Sequence, residues 1–173
     1  MHYNILFKEE FIPKSTLTEA ERQEVILEIP NIIRNLRKIV SNLTDQELEY
    51  TYRSGGWRIR QIVHHLVDND LNAYLRFKRA LTEEEPISNS YREDLFAELY
   101  DYREIPLENS LSLLDLLHQR FEILLHQLSA EDYLRTMKTQ ILGIITLDVA
   151  LQRFVWHNYH HIRQIELAIQ RNK

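Results

Sequence analysis

The chain has 173 residues, 44% of them hydrophobic and 27% charged, which predicts a folded domain with a substantial core and excludes a disordered segment. Its formal net charge of -5 excludes the strongly basic surface that nucleic-acid binding requires. Cysteine is absent, so disulfides and thiolate ligands are excluded, and any metal ion must be held by histidine and carboxylate side chains.

The first predicted helix covers roughly residues 18 to 44. Thr18 and Glu21 have the spacing of a capping box, and apolar residues then recur every three or four positions as far as Leu43. Pro30 removes a backbone donor and crowds the preceding turn. We therefore expect a kink or a broken start at this proline.

The second predicted helix follows the turn Ser54-Gly55-Gly56 and runs from about Trp57 to Glu83, with one apolar stripe. The stretch 87–107 is mixed in character, and we expect a connection with one short helix there. A third helix is predicted to begin near Asn109, a residue type favoured at the N-cap, and to continue to Leu128.

The last part of the chain combines an extended segment with a long helix. Between Tyr133 and Ile145, β-branched residues and Gly143 favour an extended excursion or a small hairpin. The fourth helix is predicted to start after an N-cap at Thr146 and to run nearly to the C-terminus. Four long amphipathic helices predict a single all-α domain over residues 1–173, a four-helix bundle whose core can hold a site built from facing side chains.

The N-terminal segment and the hydropathy pattern bear on localisation. The first residues lack the basic and apolar regions of a signal peptide, and no apolar run approaches the roughly 18 residues of a membrane span. We therefore expect a cytoplasmic protein without a membrane partner.

Histidines are concentrated in two of the predicted helices. Five of the eight fall there: His64, His65, His157, His160 and His161. His157 and His161 are four residues apart, so on a helix they share one face and can reach one ion. Helical projection places both on the apolar stripe and Tyr159 on the opposite, polar face. Buried imidazoles need partners, which either a metal ion or hydrogen-bonding neighbours would supply, and the pattern leaves both interpretations open.

His65 projects into a polar column beside the apolar stripe of the second helix. The column is either the solvent face or the wall of a ligand cleft that His65 closes at one end. In the cleft interpretation, Asn69, Asn72 and Arg76 are the candidate substrate-binding residues. Asp68 is the candidate catalytic base, although three residues from His65 it could equally orient the imidazole through a hydrogen bond.

Several segments match a known family in the expected order. They are Tyr52 to Trp57, Arg60 to Leu66, Asn72 to Lys78, Leu81 to Glu84, Ile145 to Leu147 and Val155 to His161. In these segments the chain resembles the DinB/YfiT family, and more closely the YfiT branch described as metal-dependent hydrolases. The resemblance implies a DinB-like four-helix bundle and one divalent transition metal ion held by His65, His157 and His161.

The resemblance also implies a homodimer. Trp156 projects away from the buried stripe and is one candidate for packing against a second copy. The chain differs from the family pattern at Gln164, where a further histidine is frequent, and at Arg92 and Phe96, where an aspartate and a tryptophan are frequent. The difference at Gln164 concerns the presence of a fourth metal ligand. The differences at Arg92 and Phe96 concern the composition of the pocket wall.

Three neutral imidazoles leave an open coordination position, which is typical of a catalytic metal site. Zinc and nickel are the ions we favour, although imidazole accepts several divalent metals. A water activated there would hydrolyse a small-molecule substrate, whereas an activated thiol would be transferred to an electrophile. The resemblance points to hydrolases and also to S-transferases that use a low-molecular-weight thiol such as bacillithiol. A noncatalytic metal or ligand binder is the third hypothesis.

Overall fold

The structure is a computed structural model that describes residues 10–88 and 90–172. This part of the chain forms eight α-helices, one 3-10 helix (Glu47–Glu49) and one two-stranded antiparallel sheet. The α-helices and strands in chain order are α1 (Glu19–Leu27), α2 (Ile29–Val40), α3 (Ile59–Thr82), α4 (Glu93–Phe96), α5 (Asp101–Glu104), α6 (Leu107–His126), α7 (Ala130–Leu134), β1 (Thr136–Thr139), β2 (Gly143–Thr146) and α8 (Leu147–Asn172).

The first predicted helix is divided into α1 and α2. The capping box is confirmed, since the Glu21 amide donates to the Thr18 hydroxyl and the Thr18 amide donates to the Glu21 carboxylate at 2.9 Å. The break falls between Leu27 and Ile29, and Pro30 occupies the first turn of α2, where its missing amide proton costs no helical hydrogen bond. The expected interruption at Pro30 is therefore confirmed.

Two of the other predicted boundaries differ from the structure. Helix α6 begins at Leu107 after an N-cap at Pro106, so the prediction of Asn109 as the N-cap was wrong. Proline fixes φ near the helical value and has no amide proton that needs an acceptor, which lets the N-cap lie three residues earlier than predicted. The preceding connection contains two short helices, α4 and α5, where one was expected.

The end of the chain follows the prediction. Strands β1 and β2 form the expected small hairpin, with Thr136 opposite Thr146 and Thr139 opposite Gly143. The Val149 amide then donates to the Thr146 hydroxyl at 3.3 Å, which confirms Thr146 as the cap of α8.

The bundle is formed by α3, α6 and α8 together with the α1–α2 pair, which supplies the remaining side. Its centre is apolar, and aromatic rings from three helices meet there: Phe121 lies 4.9 Å from Phe77 and 5.1 Å from Phe154, ring centre to ring centre. Edge-to-face contacts at such distances are favourable, so this cluster fixes α3 and α8 relative to each other.

A buried ion pair joins α1 to α8. The guanidinium of Arg22 donates to both carboxylate oxygens of Asp148, at 2.8 and 3.0 Å, and the Leu17 amide donates to the same carboxylate at 3.1 Å. Because the Asp148 side chain is completely buried, these donors replace the water it has lost.

Within residues 10–88 and 90–172, none of the helices is both long enough and apolar enough to cross a bilayer.

Candidate metal centre

The structure brings three histidines together between α3 and α8. One potential ligand atom of each of His65, His157 and His161 lies within 4.8 Å of the others. The ring centres are 5.4 Å apart for His65 and His157, 4.7 Å for His65 and His161, and 4.5 Å for His157 and His161. A four-residue spacing on α8 and one histidine of the facing helix thus produce a compact cluster.

The unpaired ring nitrogens of this cluster fit a metal ion. Among the described residues, neither nitrogen of His65 nor Nδ1 of His157 has a hydrogen-bond partner, although all three atoms are shielded from solvent. The Nε2 atoms of His157 and His161 lie only 3.2 Å apart. Buried polar atoms without partners are costly, and an ion at the centre would satisfy several of them at once.

Burial keeps the three imidazoles in the form that binds metals. It lowers the pKa of His65 to about 4 and moves the pKa values of His157 and His161 well below the usual value. The rings are therefore neutral near pH 7 and have lone pairs to offer. Nitrogen donors of this kind suit zinc, nickel and related divalent ions.

A glycine turn places Trp57 against the histidines. Gly55 has φ +65°, a conformation that glycine adopts without strain, and a Cβ on Gly56 would lie 2.9 Å from side-chain atoms of Tyr52 and Arg53. The chain then turns into α3 with the Trp57 ring centre 4.5 Å from that of His65 and stacked on His161 at 6.1 Å. The indole thereby covers one side of the cluster.

Gln164 determines which nitrogen of His161 carries the proton. The Gln164 Oε1 atom accepts a hydrogen bond from Nδ1 of His161 at 2.9 Å, while its Nε2 donates to His160 at 2.9 Å. Since Nδ1 carries the hydrogen in this arrangement, Nε2 of His161 keeps its lone pair facing His157. The residue that stands where the family often has a further histidine thus contacts His161 directly.

Two cavities meet at His157. The first, which we name the amphipathic cavity, measures about 380 Å³ and lies between α3, α8 and the hairpin. Its lining includes Asn69, Ala73, Arg76, Phe77, Tyr91, Glu93, Met137, Ile141, Leu142, Arg153, Phe154 and His157. The second, the polar cavity, measures about 400 Å³. Its lining includes Tyr52, Arg53, Gly55, Gly56, Trp57, Glu93, Arg153, Trp156, His157, His160, His161 and Gln164.

The structure places two of the four residues predicted for substrate binding and catalysis in a cavity lining, and the other two outside both linings. Asn69 and Arg76 line the amphipathic cavity, as the cleft interpretation of the polar column requires. Asn72 and Asp68 are absent from the linings of both cavities. The Asn72 amide donates to the backbone carbonyl of Asp68 at 2.7 Å instead.

Asp68 is engaged away from the histidine cluster. Its carboxylate accepts a hydrogen bond of 2.6 Å from the Tyr102 hydroxyl, and burial raises its pKa. It does not orient His65, whose ring nitrogens have no hydrogen-bond partner in the described part of the chain.

The sequence patterns did not identify Tyr91, Glu93 or Arg153 as candidate site residues. Glu93 and Arg153 line both cavities together with His157, and Tyr91 lines the amphipathic one. Arg153 is four residues before His157 on α8, a spacing that could have drawn attention to it. Tyr91 and Glu93 lie in the connection between α3 and α6, whose path no periodicity predicts.

Other aromatic side chains near the cluster are also placed by the structure. Tyr159 is buried and its hydroxyl donates to Glu28, so its predicted position on the polar face was wrong, because α1 and α2 cover that side of α8. His64 is buried and its Nδ1 lies 2.8 Å from the Ser110 hydroxyl of α6. Trp156 packs within its own chain, with the Arg153 guanidinium 4.4 Å above its ring and His160 stacked on it at 4.9 Å.

Comparisons with known proteins agree with this architecture. The family model described as the DinB superfamily matches residues 31–165. A relative from Oceanobacillus iheyensis, named "Putative metal-dependent hydrolase OB0782", is 41% identical over 162 residues, covering 94% of both chains. YfiT of Bacillus subtilis, which has the same designation, is 38% identical over 157 residues, covering 90% of this chain and 88% of YfiT.

A solved structure extends the likeness to three dimensions. The structure of Bacillus subtilis YfiT, described as a probable metal-dependent hydrolase with an unusual four-helix bundle topology, superimposes with a TM-score of 0.90 at 37% identity, covering 94% of each chain. The predicted all-α four-helix bundle is thereby confirmed. With a family match over most of its length and relatives of this similarity, the chain belongs to the DinB superfamily.

Proposed function

We propose that the protein is a metal-dependent hydrolase of small molecules, with one divalent ion, zinc or nickel, held by His65, His157 and His161. The observation that carries this proposal is the convergence of three neutral imidazoles, two buried and one half-buried, within 4.8 Å beside two cavities. The designation of the relatives from Oceanobacillus iheyensis and Bacillus subtilis supports it. The homodimer implied by the family resemblance and a cytoplasmic location belong to the same proposal.

The protein's own groups would hold and orient the reactants. When bound, a divalent ion at this position lowers the pKa of a water or thiol and polarises a substrate carbonyl. Trp57 packs against His65 and His161 and shields one side of the cluster from bulk water. Asn69 and Arg76 present polar groups to a substrate that extends from the histidines along the amphipathic cavity. Such positioning supplies much of the rate enhancement in a hydrolytic site.

Hydrolysis also needs a group that accepts a proton, and two carboxylates are candidates. Asp68 is the candidate from the sequence, but it is hydrogen-bonded to Tyr102 and lies outside both cavity linings. Glu93 lines both cavities together with His157, and partial burial raises the pKa of its carboxyl above the usual value. The geometry favours Glu93.

Substitution of each carboxylate by its amide distinguishes the two. We expect Glu93→Gln to lower kcat for hydrolysis about 100-fold or more while the metal content stays at the wild-type level. Asp68→Asn, whose amide oxygen still accepts from Tyr102, should change kcat only a few-fold. The reverse ranking, measured by steady-state kinetics on the same ester or amide, would return the role of base to Asp68.

Thiol transfer is a second candidate function, because two separate cavities meet at His157. A hydrolase needs room for one organic substrate, whereas transfer of a low-molecular-weight thiol to an electrophile needs room for two. The polar cavity would hold the thiol carrier and the amphipathic cavity the electrophile.

Parallel assays test both functions. The purified protein, with its metal identified by elemental analysis, is assayed with an ester and amide panel and with a thiol plus an electrophile, alongside His65→Asn. We expect hydrolysis that depends on both the metal and His65. Conjugation with the same dependence, without hydrolysis, would replace the first proposal by the second, and a metal-containing protein inactive in both assays would be a noncatalytic binder.

A further inference from the structure

The polar cavity has a positively charged lining on a protein that is negatively charged overall. Its lining contains two arginines, Arg53 and Arg153, and one carboxylate, that of Glu93. Burial lowers the pKa of the three histidines in the lining, so these rings are neutral near pH 7. Two positive charges and one negative charge give the lining a formal charge of +1, whereas the chain has -5. A cavity of this kind attracts small anions.

Arg153 lies where the two cavities meet. It lines both of them together with His157, which follows it by four residues and therefore shares its face of α8. The pKa of His157 is lowered mainly by burial and further by the charges around it, one of which is that of Arg153. The guanidinium is therefore close to the histidine cluster, and an anion bound to it would lie beside the proposed metal ligands.

Two aromatic rings fix the position of the Arg153 guanidinium. Its central carbon lies 4.4 Å from the centre of the Trp156 ring and 5.3 Å from that of Phe11. Such cation–π contacts involve the charge of the group and leave its N–H donors for other acceptors. Within residues 10–88 and 90–172, these N–H groups donate no hydrogen bond to the protein. The donors are thus available to a ligand in the cavity.

We propose that the polar cavity binds the carboxylate group of a small ligand, and that Arg153 is the residue that selects this group. A guanidinium donates two parallel hydrogen bonds to a carboxylate, and the pairing is charge-assisted, whereas a neutral amide of the same shape offers one oxygen and no charge. The single negative charge of a carboxylate also matches the lining, where a second one would lie near Glu93. That this ligand is the substrate, a carboxylate-bearing ester or amide, rests on the proposed function.

Tryptophan fluorescence tests the binding directly, because the chain has two tryptophans and both line the polar cavity. The protein is first treated with a chelator and dialysed, so that ligation of a carboxylate to a metal cannot contribute. It is then titrated with succinamate, which is a monoanion, and with succinamide, its neutral amide. We expect succinamate to change the emission with a Kd at least tenfold lower than that of succinamide.

Substitutions then locate the binding site. Arg153→Met keeps the apolar part of the side chain, so it should weaken succinamate binding about tenfold or more and leave succinamide binding unchanged. Arg153→Lys keeps the charge but loses the paired donors, and its affinity for succinamate should be intermediate. The control Arg163→Met removes another half-buried guanidinium of α8, which pairs with Glu166 outside both cavity linings, and should change neither affinity.

A pair of matched esters extends the test from binding to the substrate. Monomethyl succinate has a carboxylate where methyl succinamate has an amide, and hydrolysis of either ester consumes one water and releases methanol. In the metal-loaded protein we expect kcat/KM to be at least tenfold higher for monomethyl succinate, and Arg153→Met should remove this preference.

Three results of the fluorescence titrations would overturn the proposal. They are the absence of any response to succinamate, equal affinity for succinamate and succinamide, and unchanged succinamate binding in Arg153→Met. The ester assay separates this proposal from the proposed function. Succinamate binding that depends on Arg153, without hydrolysis of either ester, supports the carboxylate site and counts against the hydrolase. Hydrolysis of both esters at equal kcat/KM supports the hydrolase and overturns the selection of a carboxylate by Arg153.

Discussion

At the scale of single residues, Gln164 shows how one side chain can prepare a histidine for metal binding. By accepting from Nδ1 of His161, it places that ring's hydrogen on the side away from His157. The lone pair of Nε2 then faces the cluster without any rearrangement on binding. The amide accordingly acts as a positioning residue, and a fourth imidazole ligand at this position is not needed for a three-histidine site.

We therefore expect Gln164→Leu to weaken zinc binding about tenfold or more, because partners of ligating histidines contribute roughly that much. Gln164→Glu, which keeps an acceptor at the same position, should bind zinc at least as tightly as the wild-type protein. Competition with a chromophoric chelator measures both. As a control, Gln119→Leu replaces an exposed glutamine of α6 that contacts Asp115 and should leave the affinity unchanged. Equal affinity of Gln164→Leu and wild type would show that Gln164 has no such role.

At the scale of helices, the buried pair of Arg22 and Asp148 fixes α1 against the start of α8. Removal of one partner leaves the other charge buried and unpaired, which typically costs about 3 to 5 kcal/mol. We expect Arg22→Met to lower the free energy of unfolding by about that amount in urea denaturation followed by circular dichroism.

The exposed pair of Arg92 and Asp94 provides the comparison for this measurement. Both side chains are more than half exposed, so water and salt screen their attraction, and Arg92→Met should have little effect on the unfolding midpoint. Similar losses for Arg22→Met and Arg92→Met would contradict the structural role assigned to the buried pair.

The long helices and the cluster of His65, His157 and His161 could be predicted from the sequence because both depend on local periodicity. A spacing of four residues defines a shared face of α8, and a proline or a capping threonine marks a helix end independently of the rest of the fold. Even here the prediction had a limit, since Tyr159 is buried by α1 and α2, which come from far away in the sequence.

The remainder of the candidate site depends on contacts between distant segments. Tyr91 and Glu93 reach the cavities through a connection whose path is set by tertiary packing. The Ser88 amide donates to the carbonyl of Lys138 in β1, and the Lys138 amide donates to the carbonyl of Pro86. Asn72 and Asp68 share a polar column with Asn69 and Arg76, but that pattern alone does not show which of its members face a cavity. A helical projection shows in which direction each side chain points from its own helix. Whether that side chain lines a cavity also depends on the segments that pack opposite the helix.

At the scale of the whole molecule, the histidine cluster crosses the interface of α3 and α8. A metal ion bound there connects two long helices and binds the folded state alone, so it should stabilise the fold. At a free metal concentration 100 times Kd, the expected gain is about 2.7 kcal/mol. Thermal unfolding with and without zinc measures this gain, which should disappear when both His157 and His161 are replaced by Ala. A stabilisation of the same size in that double variant would place the ion elsewhere.

The central claim, that three imidazoles hold one ion and leave a position open, is tested most directly by X-ray absorption spectroscopy of the metal-loaded protein combined with elemental analysis. We predict one divalent ion per chain with three imidazole nitrogens at roughly 2.0 to 2.1 Å and at least one further light-atom ligand. Replacement of His65 by Ala should reduce the imidazole count or remove the ion. A protein that binds no divalent ion, or one whose metal environment is unchanged by that replacement, would contradict the account.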